Sequence, residues 1–331
     1  MKSPVAVFLL VVASGLPCWS RERDGEINFL VLGDWGGKPE SPYTTDTERE
    51  VADQMGTTAA EVGSLFTMAL GDNFYDLGVK DASDPRFQNT FENVFTAKAL
   101  QSRWYVVCGN HDHYGNASAE VAYTKMSQRW YMPEFYYTEV FSIPGTGANL
   151  QLVMIDTVLL AGLTHPVLRE LPPSGPASLS RAEDQWQWIQ ETLASSTADW
   201  IIVAGHYPVW SIAEHGPTSI LVEKLRPMLE KYNVSSYLCG HDHNLQHIRE
   251  SSSPVDYFVV GAGHLTDPST AHEKDIPPDS LKFHYGVFDI SESHGGFATV
   301  GITNKIMTTT FYDAKGNKLY SANTAQTRSI M

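Results

Sequence analysis

The sequence predicts an α/β fold built in layers, with a second β-sheet packed on the first. Three patterns carry that expectation. Short apolar runs alternate with amphipathic helical stretches over the first two thirds of the chain. Five of those runs are too short and too continuously apolar for surface helices, and each stops at a glycine. In the last third, apolar runs succeed one another with no helical stretch between them. The 331 residues, 42% hydrophobic and 18% charged, suffice for a large core, and a net charge of −15 marks an acidic, soluble composition. No run of five basic residues occurs, so nucleic acid is not an expected partner.

Residues 1–20 read as a secretory signal peptide: Lys2 gives a positive start and residues 5–12 are apolar. Ser14, Gly15 and Pro17 interrupt that run too early for a membrane span. Removal takes one basic residue and Cys18, leaving 22 − 38 = −16 and two cysteines, with no disulfide framework. Residues 21–331 are expected to form one catalytic domain.

Strands are expected at 27–32, 66–70, 104–107, 200–203 and 237–238. Between them, Thr47-x-x-Glu50 has the spacing of a capping box, followed by Val51, Met55, Ala59 and Val62 on one helical face. Ser180-x-x-Glu183 repeats the device before Trp186, Ile189 and Leu193. Leu221, Val222, Leu225 and Leu229 stripe a third helix that ends near Tyr232. Later strands are expected at 257–260, 287–290, 298–302 and 307–312. Residues 159–180, with Leu171-Pro-Pro-Ser-Gly-Pro at their centre, have no periodicity and read as an exposed, cleavable loop. Asn116 and Asn233 open two N-x-S sequons.

The chemistry sits where the five glycine-terminated runs end. There stand Gly33-Asp34, Gly71-Asp72-Asn73-Phe74-Tyr75, Gly109-Asn110-His111-Asp112, Gly205-His206 and Gly240-His241-Asp242-His243. Loops at the carboxyl ends of sheet strands converge, so residues far apart in sequence can share one site. Glycine lets the backbone turn sharply there. Each signal is weak alone; five metal-ligand residue types in this order are specific. His241 and His243, two residues apart, point the same way only with a turn and otherwise address two neighbouring points.

This series resembles the metallophosphoesterase superfamily, and Tyr75 after Gly71-Asp72-Asn73-Phe74 resembles the mark of its purple acid phosphatases. Gly33-Asp34-Trp35-Gly36-Gly37, Gly109-Asn110-His111-Asp112-His113, residues 205–217 and residues 239–246 are similar to the small, tartrate-resistant animal form. The resemblance implies an α/β/β/α sandwich, two mixed sheets flanked by helices. It assigns Asp34, Asp72, Tyr75 and His243 to a ferric ion, and Asp72, Asn110, His206 and His241 to a divalent ion, iron(II), zinc or manganese. Hard carboxylate and phenolate oxygens suit Fe(III), while imidazoles and an amide oxygen suit the divalent metal.

The implied activity is hydrolysis of phosphate monoesters by an Fe(III)-activated hydroxide at mildly acidic pH, with inorganic phosphate as product. Implied substrates are small phosphate esters and phosphoproteins, handled by a monomer that is lysosomal or secreted. His111 and His215 are the candidates to serve the leaving group, with Glu214 orienting His215. His113, His247, His264 and His284 read as structural, and Cys108 and Cys239 as small buried core residues. Where relatives of this form carry a disulfide, this chain has Ala161 and Ile220, so that cross-link is missing. The resemblance still implies that excision of the 159–180 loop raises activity. Two alternatives remain: an iron-carrying protein, against which His111, His215 and Glu214 speak, and a zinc or manganese phosphodiesterase, against which Tyr75 speaks.

Overall fold

The structure, a computed structural model, describes residues 25–165, 171–287 and 294–328. The expected signal peptide lies outside the described residues, as do 166–170 of the expected loop and 288–290 of an expected strand.

Strand β1 (Ile27–Leu32) is buried at all positions but Asn28, which is why its apolar run is continuous. Helix α1 (Asp46–Val62) starts two residues earlier than expected. Its N-cap is Thr45, in a capping box with Glu48, because Thr45-x-x-Glu48 has the same spacing as Thr47-x-x-Glu50 and a tertiary bond from its hydroxyl to the His264 carbonyl besides. Then follow β2 (Thr67–Ala69), β3 (Trp104–Val106), the short helices α2 (Asn110–Tyr114) and α3 (Ala117–Tyr123), and β4 (Trp130–Tyr131). Strands β5 (Tyr137–Ser142) and β6 (Asn149–Met154) form a hairpin, and α4 (Thr157–Ala161) follows.

Helix α5 (Leu179–Ser195) is capped by Ser178, again two residues ahead of the expected cap. After β7 (Trp200–Ala204) the helical turn Leu221–Leu225 runs into α6 (Arg226–Lys231). The chain ends with β8 (Ser236–Cys239), β9 (Leu245–Ile248), β10 (Asp256–Val260), β11 (Leu281–Tyr285), β12 (Gly296–Ile302), β13 (Ile306–Asp313) and β14 (Lys318–Ala325).

The strands form two seven-stranded mixed sheets, ordered β14-β13-β12-β1-β2-β3-β4 and β11-β9-β10-β8-β7-β6-β5. Alternate residues separate the layers, as the two-residue period of a strand requires. Leu150, Leu152, Trp200, Ile202 and Phe258 of the second sheet join the core that holds Phe29, Val300 and Phe311 of the first. Their neighbours Val153, Ile201, Val203 and Val259 face Trp186, Ile189 and Leu193 of α5 and Leu229 of α6. Helix α1 lies on β1 and β12 through Val51, Met55 and Ala59. The result is the expected sandwich of helices, sheet, sheet and helices.

Three further expectations change. The C-terminal strands do not make the second sheet: β12 pairs antiparallel with β1 and brings β13 and β14 into the first. Val287 is not in a strand; β11 lies just before it. The 159–180 segment starts inside α4, with Leu160, Ala161 and Thr164 buried, and ends inside α5.

Candidate metal centre

The five glycine-terminated strands divide between the sheets: β1, β2 and β3 lie parallel in the first, β7 and β8 parallel in the second. Their carboxyl ends face one another across the sandwich. Three residues just past those ends, Asp34 (φ 57°), Asp72 (51°) and His241 (72°), hold left-handed backbone that non-glycine residues rarely adopt. The turn is therefore made mainly by the ligand-type residue and not by the glycine before it. Among the five glycines only Gly71 has a left-handed φ, 92°. The others give room: a Cβ on Gly240 would sit 2.2 Å from Asp34 Oδ2, and one on Gly109 2.2 Å from Asp72 Oδ1.

The side chains gather around two points that share Asp72. Ligand atoms of Asp72, His206 and His241 lie within 4.8 Å of one another, and so do those of Asp34, Asp72 and His243. Asn110 Oδ1 joins the first group, 3.0 Å from His206 Nε2. Tyr75 joins the second, its hydroxyl donating to Asp34 Oδ1 at 3.0 Å and lying 3.0 Å from His243 Nε2. The His206 ring is aimed by its Nδ1–H, which donates to the Leu70 carbonyl at 2.8 Å and leaves Nε2 facing the acids. His241 and His243 thus address neighbouring points, the second of the two arrangements open to them.

Electrostatics show a site short of positive charge. Burial pushes Asp34 up to about 8 despite His206 nearby. Burial also works against Asp72, yet the His206 and His111 charges hold its carboxyl below the ordinary range. Against its own burial, His206 is pushed up to about 9 by Asp72. Burial and the Asp34 and Asp72 charges hold the Tyr75 hydroxyl well above its usual range. The donor set fits two cations: buried carboxylates, a phenol and imidazoles converge on two points, and the buried Nδ1 of His241 has no hydrogen-bond partner among the described residues.

A cavity beside these points is walled by Asp72, Asn110, His111, His215 and His241, and on the loop side by Tyr114, Thr164 and His165. The Tyr114 hydroxyl donates to the Thr164 carbonyl at 2.8 Å, so the start of the 159–180 segment is tied to the site rather than free. His111 Nδ1 donates to the Asp76 carbonyl at 2.7 Å. His215 is oriented by Asp242, not by Glu214: Asp242 Oδ1 accepts its ring Nδ1–H at 2.8 Å and its backbone N–H at 3.0 Å. Glu214 contributes only a nearby negative charge.

Sequence reasoning passed over other residues here. Asp242 stood in plain view between His241 and His243, and an acid flanked by two ligand-type histidines is a signal. His264, expected to be structural, packs beside the site, its ring 4.3 Å from that of Tyr75 and its Nδ1 donating to the Asp34 carbonyl at 2.7 Å. Asp112 accepts the backbone N–H groups of Asn73, Phe74 and Gly109, clasping two strand-end loops together. With Cys108 and Glu120 it forms a third buried cluster, but these three N–H donors mark an anion's environment, not a cation's. Cys108 and Cys239 are buried free thiols, as expected.

Residues 27–245 match the calcineurin-like phosphoesterases. The chain is 46% identical to the tartrate-resistant acid phosphatase type 5 of Oryctolagus cuniculus, over 95% of both chains. It is 33% identical to purple acid phosphatase 4 of Arabidopsis thaliana, over 92% of this chain and 85% of the other. In fold it is similar to a protein described as the anchor in the inner membrane complex of Plasmodium, with a TM-score of 0.77 and 23% identity over 92% of this chain and 90% of that one. Relatives this close along nearly the whole chain, meeting a site of this donor chemistry, mean that it hydrolyses phosphate monoesters at a dinuclear metal centre. The chain belongs to the calcineurin-like phosphoesterase family and, within it, to the purple, tartrate-resistant acid phosphatases.

Proposed function

We propose that the two metals are iron, a ferric ion held by Asp34, Asp72, Tyr75 and His243 and a divalent ion held by Asp72, Asn110, His206 and His241, with zinc or manganese as replacements at the divalent position. The observation that carries this reading is the buried Tyr75 hydroxyl, 3.0 Å from both Asp34 Oδ1 and His243 Nε2. A phenol placed among hard donors selects a trivalent ion over zinc or manganese. When bound, the pair supplies Lewis-acid polarisation of the phosphoryl oxygens and a lowered pKa for water.

The chain's own residues do the remaining work. His215, its ring set by Asp242, stands in the cavity wall as the proton donor to the leaving alkoxide. His111, whose Nδ1–H is spent on the Asp76 carbonyl, presents its other ring edge to the ester. Glu214 adds negative charge beside His215 without touching it. The substrates are small phosphate esters and phosphoproteins, and the enzyme is a secreted or lysosomal monomer. Both Asn116 and Asn233 are exposed, which suits glycosylation in the secretory pathway.

The test is the visible spectrum of the purified protein with metal analysis, alongside Tyr75→Phe. Two irons with a purple band that disappears in the variant support the assignment. A colourless protein carrying two zinc or manganese ions overturns it.

A further inference from the structure

Arg86 lies just ahead of the helical segment Phe87–Glu92 and is 6% exposed. Its acidic neighbours Asp112, Asp84, Glu48 and Asp76 act on it through space, and none forms an ion pair with it among the described residues. The guanidinium spends its donors on backbone instead. Nη2 donates to the Gly36 carbonyl at 2.6 Å, and Nη1 donates to the Tyr75 carbonyl. A guanidinium withdrawn from water without a carboxylate partner is costly, so its contacts call for a reason.

The two carbonyls belong to the two loops that carry Asp34 and Tyr75. Those loops already lie against each other: Gly36 N–H donates to the Asp72 carbonyl, and Tyr75 N–H donates to the Gly36 carbonyl, both at 3.1 Å. A Cβ on Gly36 would fall 2.5 Å from the Phe74 nitrogen. Arg86 closes a triangle with Gly36 and Tyr75, so the Tyr75 residue is held at both its N–H and its C=O. The guanidinium carbon also lies 5.5 Å from the centre of the Phe74 ring, which limits where the fork can sit.

We propose that Arg86 is a positioning residue of the metal centre: its planar fork, bonded to the Gly36 and Tyr75 carbonyls, sets the Tyr75 hydroxyl against the Asp34 carboxylate. The proposal rests on the reading of Tyr75 as a ligand. A planar fork holds two acceptors at a set spacing, whereas an ammonium is a point charge that serves them without fixed geometry. Lysine therefore restores the charge of Arg86 but only part of its function.

The test uses the full secreted protein with its metals, as Arg86→Met and Arg86→Lys, each with Tyr75 intact and as Tyr75→Phe. The readouts are the rate of metal loss to a chelator, the visible band, and kcat and KM on a phosphate monoester. With Tyr75 present, Arg86→Met is expected to speed metal loss and lower kcat about 10- to 100-fold, the range for groups that orient metal ligands, with KM little changed and the band displaced. Arg86→Lys recovers only part of each. In the Tyr75→Phe background the same change adds less than about threefold, because the group it positions is gone. Equal losses in both backgrounds overturn the proposal, as do an unmoved band and an unchanged rate of metal loss in Arg86→Met. If Arg86→Met does not fold, Arg86→Lys is read by the same rule. A wild-type protein with no visible band removes the iron–Tyr75 reading on its own, and Arg86 is then judged by metal loss across the four proteins, which needs no colour.

Discussion

Asp242 holds His215 twice through one oxygen, Oδ1, accepting the ring Nδ1–H at 2.8 Å and the backbone N–H at 3.0 Å. The same carboxylate takes the Ser211 hydroxyl on its other oxygen, so the imidazole is fixed in both tautomer and direction.

Asp242→Asn keeps the shape and one acceptor oxygen but withdraws the negative charge that favours the protonated His215 imidazole. The expected result is a loss of about 10- to 100-fold in kcat on alkyl phosphates, with a smaller loss on aryl phosphates whose phenols leave without a proton. A series of esters graded by leaving-group pKa measures this. A uniform loss across the series would mean that His215 does not serve the leaving group.

Asp72 belongs to both groups of ligand atoms, whereas His241 and His243 each belong to one. Asp72→Ala should therefore empty both positions, and His241→Ala and His243→Ala one each, of different kinds. Metal analysis of the three variants after the same dialysis decides this. Equal depletion in all three would contradict a shared bridging carboxylate.

His113 Nε2 lies 2.7 Å from Asp156 Oδ2. Burial works against the imidazolium, but the Asp156 charge and hydrogen bond win, and the pKa is raised above the ordinary value. The unfolded imidazole titrates near 6.5, so the stabilisation is complete below that value and fades as pH rises through the higher folded one. His113→Gln should accordingly cost more stability at about pH 5 than at about pH 8. Thermal melts of both proteins at the two pH values test the sign, and a wider gap at alkaline pH would refute it.

Gly240→Ala drives a methyl to 2.2 Å from Asp34 Oδ2, so the carboxylate must move. We expect about 1–3 kcal/mol of destabilisation together with lost metal. Gly175→Ala is the control: its φ of 89° is left-handed, but nothing lies within 4 Å of the new methyl, so metal content should stay intact. Full metal occupancy in Gly240→Ala would show that this close approach is not needed.

What could be read from sequence was local. Each strand-end motif packs its glycine and its ligand-type residue into two to five positions, so all seven metal-ligand candidates were visible, and the structure brings them together. Which sheet each strand joins was not visible, because β1, β2, β3, β7 and β8 are all short apolar runs ending at glycine. Strands β5 and β14 escaped notice because polar residues such as Glu139, Ser321 and Asn323 alternate along them. The cap of α1 shifted by two residues because Thr45-x-x-Glu48 and Thr47-x-x-Glu50 have the same spacing and the Thr45 hydroxyl also bonds the His264 carbonyl, whereas α5 is capped by Ser178, whose hydroxyl accepts the Arg181 N–H with no acid three residues on to mark it. The pairing of His215 with Asp242 spans 27 positions and arises only from the meeting of two loops.

The division of the site between two sheets makes it a gauge of their spacing. Asp34, Asp72, Tyr75 and Asn110 ride on one slab, and His206, His241 and His243 on the other, while Phe29, Leu152 and Phe258 fill the gap between. A methyl added or removed in that filling changes how far apart the slabs stand, and with it the distance across each metal position. Residues with no view of the substrate are in this way tuners of its chemistry, and selection on turnover reaches into the middle of the sandwich.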